Sequence, residues 1–340
     1  MWLELGVSDQ SVTLTYLSEI SDLCTSTLKS TSWNNRIQSA KTLATVAKYL
    51  NTAYPAPQFS ANVTSLIEVS AGRSYPGKSA ILVALSKTLT FTKEIRGVDE
   101  GLILEVFLRE CGKKEEGYAS EVIRSLGDLI LEVELVSDCW ESVWELCSAH
   151  LIPQEKEEED KEGEESKEKK KKVDTFSIDR PIQESVILLL GVAWRVCRNK
   201  SDKIVQVSHF LSGIMRLCSW GLQLVVLCAI QRVLDFTPSD TALDATSDIT
   251  QDIRTRVYEG VVPSVLRCVD DTKHASVRGL ALKIILDILQ KCREFQLNIN
   301  RGVFDDISIH VRDQISNESN QNIKSRGIEI VTMIEKEFVV

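Results

Sequence analysis

The chain has 340 residues, 43% of them hydrophobic and 26% charged, and a net charge of −9. That is the balance of a folded soluble protein, and it argues against general nucleic-acid binding, because phosphate contacts need an excess of Lys and Arg. No apolar run approaches the ~18 residues of a membrane span, and the opening MWLELGVSDQ lacks the basic and apolar regions of a signal peptide.

In chain order, one pattern recurs. Trp33, Ile37, Ala40, Ala44 and Ala47 fall at steps of four and three. Such spacing sets side chains on one stripe of an α-helix. The same periodicity runs through Ala119–Val133, Ile182–Cys197, Leu222–Leu234, Val277–Leu289 and Ile323–Phe338. Alternating period-two segments are almost absent, so the fold class is all-α. A shorter helix precedes each stripe. The expected pairs are 12–29 with 32–51, 58–71 with 77–92, 99–112 with 116–134, and 137–151 with 180–198. Then come 202–218 with 220–236, 250–270 with 274–293, and 303–316 with 320–337. Each pair takes roughly 40–47 residues, the HEAT/armadillo period. One pair cannot bury both its faces, so the expectation is an α-solenoid of about seven pairs, each walled by its neighbours.

Residues 155–172, EKEEEDKEGEESKEKKKK, offer nothing apolar to bury and are expected to be disordered. The array is therefore read as HEAT repeats over 1–152, a Lys/Glu-rich insertion over 153–176, and the same array resumed over 177–340. The KKKK at 169–172 resembles a nuclear-localisation signal or an acidic-surface contact, against the blander reading of a solvated loop.

The stretch AGRSYPGKSAIL (71–82) fits the phosphate-binding GxxxxGK[ST] pattern from Gly72 to Ser79. A working phosphate loop needs a preceding buried strand, whereas 58–71 read as a helix. Pro76 also lacks the N–H that a phosphate cradle would use. The stretch is read as an inter-helix turn that binds no nucleotide. The nine cysteines form no CxxC pair and sit among apolar residues, as reduced core thiols do. No His lies near them at zinc-ligand spacing. The four histidines neighbour no nucleophile in a recognisable motif, and His209 is read as a core residue. No catalytic, cofactor, metal or small-molecule site is expected. The six tryptophans are read mostly as core wedges, an exposed one serving to anchor a partner.

GVVPSVLRCVDDTKHASVRGLALKIILDIL (260–289) resembles a HEAT repeat, with Pro263 in the first helix, Asp270–Asp271 at the turn and Arg278 opening the second helix. The resemblance implies a hydrogen-bonded Asp–Arg ladder along the stack, formed here by Asp270 or Asp271 with Arg278. Arg36, Lys78 and Lys324 hold similar places in other pairs. TSWNNRIQSAKTLATVAKYL (31–50) and AGRSYPGKSAILVALSKTL (71–89) are similar to the giant HEAT-repeat proteasome adaptor and scaffold family, with Tyr75 where that family carries Trp. This resemblance implies that the chain is the C-terminal end of a longer array. It further implies that the chain binds the 26S proteasome and bridges its core and regulatory particles, in the cytoplasm and, with KKKK, the nucleus. The alternative is an importin-like transport receptor. Trp-Asn ladders would favour that alternative, but only Trp33-Asn34 occurs at such a position.

Overall fold

The computed structural model describes residues 10–73, 75, 77–93, 95–133, 135, 139–152, 181–197, 200–235, 248–271 and 273–338. The insertion expected at 153–176, and with it 155–172, lies outside the described residues, as do Ser74 and Pro76. The described residues hold fifteen α-helices and no β-strand.

These helices follow the pairing read from the sequence. The first pair is α1 (Gln10–Thr15) and α2 (Leu17–Leu28) with α3 (Trp33–Leu50), followed by α4 (Ala56–Ala71) with α5 (Ser79–Thr92). Then come α6 (Glu100–Cys111) with α7 (Glu116–Glu132), and α8 (Trp140–Leu151) with α9 (Pro181–Ala193). The last three pairs are α10 (Lys200–Ile214) with α11 (Trp220–Leu234), α12 (Asp248–Val269) with α13 (Ala275–Glu294), and α14 (Arg301–Asn317) with α15 (Gln321–Glu337). The helix expected at 12–29 is divided at Tyr16, whose φ and ψ are −101° and 12°. Just before the break, Thr15 Oγ1 donates to the Ser11 carbonyl at 2.9 Å, a back-bond that bends helices.

Side-chain caps start several helices. Asp99 accepts from Gly101 N, Asn300 from Gly302 N, and Asn320 from Asn322 N and Ile323 N. Each satisfies an amide that a helix start leaves without a partner. Pro263 sits inside α12 without ending it. Its ring crowds the preceding turn, where the Gly260 carbonyl accepts from Ser212 Oγ of α10 at 3.1 Å.

The chain divides into two compact units: Met1–Leu146 with Leu188–Lys200, and Cys147–Ile187 with Ser201–Val340. In the first unit α2, α4 and α6 pack in succession as one layer, and α3, α5 and α7 as the other. In the second unit α11, α13 and α15 form one layer and α12 packs on α14 in the other. The apolar stripes meet between these layers. Leu28, Leu43, Leu50, Leu66, Ile81 and Leu85 are fully buried, each worth about 1.5–3 kcal/mol relative to exposure.

Seven of the nine cysteines are buried, and all nine are free thiols. Burial pushes Cys24 up to about 11 and Cys147 up to about 12, which keeps them as inert packing groups. Cys139 is half-buried and Cys228 is exposed. His209, expected in the core, is exposed instead, its ring lying over Gly260. Of the tryptophans, Trp194 and Trp140 are core wedges, but Trp33 and Trp220 are 44% and 52% exposed. Both begin a second helix, where the stripe runs out at the edge of its layer.

Candidate interaction surface

Residues 72–78 join α4 to α5. Gly72 closes α4, its N–H bonded to the Val69 carbonyl. Gly77 has φ of +83°, and a Cβ there would fall 2.6 Å from Ile37 Cδ1 of α3. The positive φ is what calls for glycine here, and a side chain at this position would also have to displace the end of Ile37. This turn is preceded by a helix, not a strand.

Lys78, at the head of α5, is completely buried. Its Nζ donates to the Gly72 carbonyl at 2.8 Å and lies 3.0 Å from Glu110 Oε1 of α6. Glu110 Oε2 accepts from the Tyr118 hydroxyl of α7 at 2.7 Å, and Arg109 Nε lies 3.2 Å from Oε1. Burial pulls the Lys78 ammonium below its ordinary value, opposed by the neighbouring carboxylate. Burial also pushes Glu110 upward, but hydrogen bonds from Tyr118 and Lys78 outweigh it and hold the carboxyl below its usual range. The Tyr118 hydroxyl is pushed far up by burial and by the carboxylate beside it. Two of the three ammonium donors are taken up within the fold, and the side chain has no exposed surface.

Arg278 holds the corresponding place at the head of α13. Its Nε donates to Glu318 Oε2 at 2.8 Å, and NH1 donates to the Asp271 carbonyl at 2.9 Å. Glu318, in the turn between α14 and α15, also accepts from Asn320 N at 2.8 Å and Gln314 Nε2 at 3.1 Å. Led by the Arg278 bond, these donors hold its carboxyl below the usual range.

Arg36, in the first turn of α3, donates Nε to the Ser30 carbonyl at 2.5 Å. Its guanidinium lies 4.9 Å from the Trp33 ring centre and 5.6 Å from that of Tyr75, the geometry of a cation–π contact. Part of this arrangement occurs three times: a cation at the head of a second helix holds a carbonyl of its own inter-helix turn. Lys78 and Arg278 also reach a carboxylate in the next pair, whereas Arg36 reaches the ring of Tyr75.

The five residues named from the sequence take different roles. Arg36, Lys78 and Arg278 bridge neighbouring pairs. Asp271 meets Arg278 only through its main-chain carbonyl. Its carboxylate caps the amides of Lys273 and His274 and contacts the His274 ring. Asp270 faces His310 Nδ1 at 2.8 Å. Lys324 forms no such bridge among the described residues; Arg326 instead donates to the Gly279 carbonyl at 2.8 Å. The acceptors Glu110 and Glu318 were not singled out from sequence. Their signal was a carboxylate beside Arg109 in a mostly apolar stretch, VFLREC, and one a full period after Arg278.

Each unit holds one aromatic stack of a similar kind. Trp33 lies on Tyr75 with ring centroids 4.3 Å apart and planes 11° apart. Trp220 lies on His274 at 4.9 Å and 7°. In each, the first residue of a second helix covers the turn of the following pair. Trp220 is followed by Gly221, so the Trp-Asn dipeptide does not recur there.

Successive two-layer helix pairs, bridged by buried polar residues at their turns, define the HEAT/armadillo class of α-solenoid. The archaeal HEAT-like repeats protein from Thermococcus onnurineus NA1 superposes with a TM-score of 0.51 at 14% identity, over 94% of this chain and 96% of that one. In sequence, the chain is similar to the proteasome-associated protein ECM29 homolog of Drosophila melanogaster, 25% identical over 165 residues. That alignment covers 46% of this chain and 8% of the relative. It is also similar to the Homo sapiens proteasome adapter and scaffold protein ECM29, 23% identical over 290 residues, covering 82% of this chain and 15% of the relative. The chain spans less than a fifth of the length of these curated relatives. No protein-family model matches it.

Proposed function

We propose that this chain is a non-catalytic scaffold segment that binds the 26S proteasome and helps bridge its core and regulatory particles, as part of a longer HEAT array. The observation that carries the reading is the similarity to the two ECM29 proteins, one named a proteasome-associated protein and the other a proteasome adapter and scaffold protein. The side-chain chemistry supports it. The cluster of buried Lys78 and Glu110 with Tyr118 is taken up in joining helix pairs. Trp33 and Trp220, both largely exposed, are suited to contact and not to reaction. Such a segment would work in the cytoplasm, and in the nucleus if KKKK (169–172) serves as an import signal.

The test is co-sedimentation of the full-length protein with purified 26S particles at low salt. Binding that survives separation of core from regulatory particle on both halves is the expected result. Absence of the protein from the particle fractions overturns the assignment.

A further inference from the structure

An open groove of about 450 Å³ runs over the face formed by α3 and α5. Ala80, Val83 and Phe91 of α5 give it an apolar floor, while Lys41 and Lys48 of α3 and Lys87 of α5 stand around it. The helix register explains the arrangement. Lys41 and Lys48 are seven residues apart, so they project from one stripe two turns apart, about 10 Å. Ala80, Val83, Lys87 and Phe91 follow at steps of three, four and four along α5. All three lysines are exposed, and none has an ion-pair partner among the described residues. This differs from the buried cations above, each of which is satisfied within the fold. Three unpaired ammonium groups beside an apolar floor, in a chain of net charge −9, form a local surface of opposite sign to the whole.

We infer that this groove binds an acidic amphipathic helix of a partner protein. Its apolar side chains at i and i+4 cover the α5 floor, and carboxylates seven residues apart face Lys41 and Lys48, with Lys87 opposite. A nucleic acid fits less well. Three cations are few for a phosphate backbone, and Glu121 of α7 also lines the groove. The inference rests on the scaffold reading only in taking a protein as the occupant; the identity of the particle does not enter it.

The probe is a fluorescently labelled helical peptide of about four turns, with Leu at i and i+4 and Glu at i+1 and i+8, titrated with the whole chain and followed by anisotropy. Saturable binding is expected, and the triple variant Lys41→Glu, Lys48→Glu, Lys87→Glu should weaken it about tenfold or more. Because the three side chains are exposed, the thermal melt of that variant should match the parent. Replacing both Leu by Ser in the peptide should cost about as much again. Undiminished binding by the triple variant, or equal binding of the Ser peptide, overturns the inference. So does competition by a single-stranded oligonucleotide at equal concentration. A gain of about tenfold on deleting residues 155–165 would show that the chain's own acidic tract fills the groove, which also overturns it. Peptide binding by a chain that never sediments with proteasomes would defeat the proteasome reading alone. Sedimentation without peptide binding would defeat this inference alone.

Discussion

In the first unit the buried bridge is made by a lysine, and in the second by an arginine. Lys78 is a compact charge that touches one oxygen of Glu110, so the other oxygen needs the Tyr118 hydroxyl. Arg278 is a planar fork that takes Glu318 with one nitrogen and the Asp271 carbonyl with another, leaving the second Glu318 oxygen for a backbone amide. The acid comes from the last turn of a first helix in one unit and from an inter-helix turn in the other. The repeat does not fix where the carboxylate sits in the sequence. In these two bridges a cation at the head of the second helix meets a carboxylate from the next pair, and both carboxylate oxygens are hydrogen-bonded. A buried ion pair with open hydrogen-bonding positions costs more in desolvation than it returns.

The largest expected effect comes from breaking the lysine bridge on one side. Lys78→Met leaves Glu110 buried without its ammonium and should lower stability by about 3–5 kcal/mol in urea unfolding. Replacing both partners, Lys78→Met with Glu110→Leu, should restore most of the loss. A double variant as unstable as the single one would show that the two residues do not act as a pair.

Acid should expose the carboxylates next. Glu110 and Glu318 are both held below their ordinary value of 4.5. Their contribution is therefore complete above that value and is lost as pH falls from it through the folded-state values. Glu318→Gln should cost about 1–2 kcal/mol at neutral pH and flatten the acid limb of the stability curve. An unchanged slope below pH 4.5 would separate Glu318 from the pH response.

The smallest effect should come from exchanging one bridge type for the other. Arg278→Lys keeps the charge but cannot serve both Glu318 and the Asp271 carbonyl in the same geometry. A loss of about 1 kcal/mol is expected from the missing hydrogen bond, read as a shift in melting temperature. No shift would mean that the fork contributes nothing beyond its charge.

The helix pairs were legible in the sequence because a 3.6-residue stripe repeated every forty-odd residues has few other solutions. Four cations recurring at the head of a stripe were legible for the same reason, although spacing did not mark Lys324 as the one that bridges no pair among the described residues. Their acceptors were not. Glu110 and Glu318 are selected by how one pair seats on the next, and spacing within a helix carries no information about that register. The Asp pair at 270–271 was placed at the right turn, but its carboxylates serve His310 and the amides of 273 and 274. The Asp271 side chain, short and in a turn, finds local amide donors, whereas the Asp270 partner lies in the next pair, which spacing does not show. The stripe through Trp33 marked a helix face but not its edge, so the pattern could not separate a core tryptophan from one stacked on Tyr75 and open to solvent.

The Lys78–Glu110 bridge also bears on how the array comes apart. In a solenoid each pair touches only its neighbours, so a chain of independent pairs would fray from either end, one pair at a time. Here the third pair cannot lift away without breaking the Lys78–Glu110 ion pair and exposing an ammonium of the second pair that is fully buried in the fold. That loss couples the opening of the third pair to that of the second. The second and third pairs should consequently exchange their amide hydrogens as a single cooperative block, with a boundary between blocks wherever no such cation reaches across.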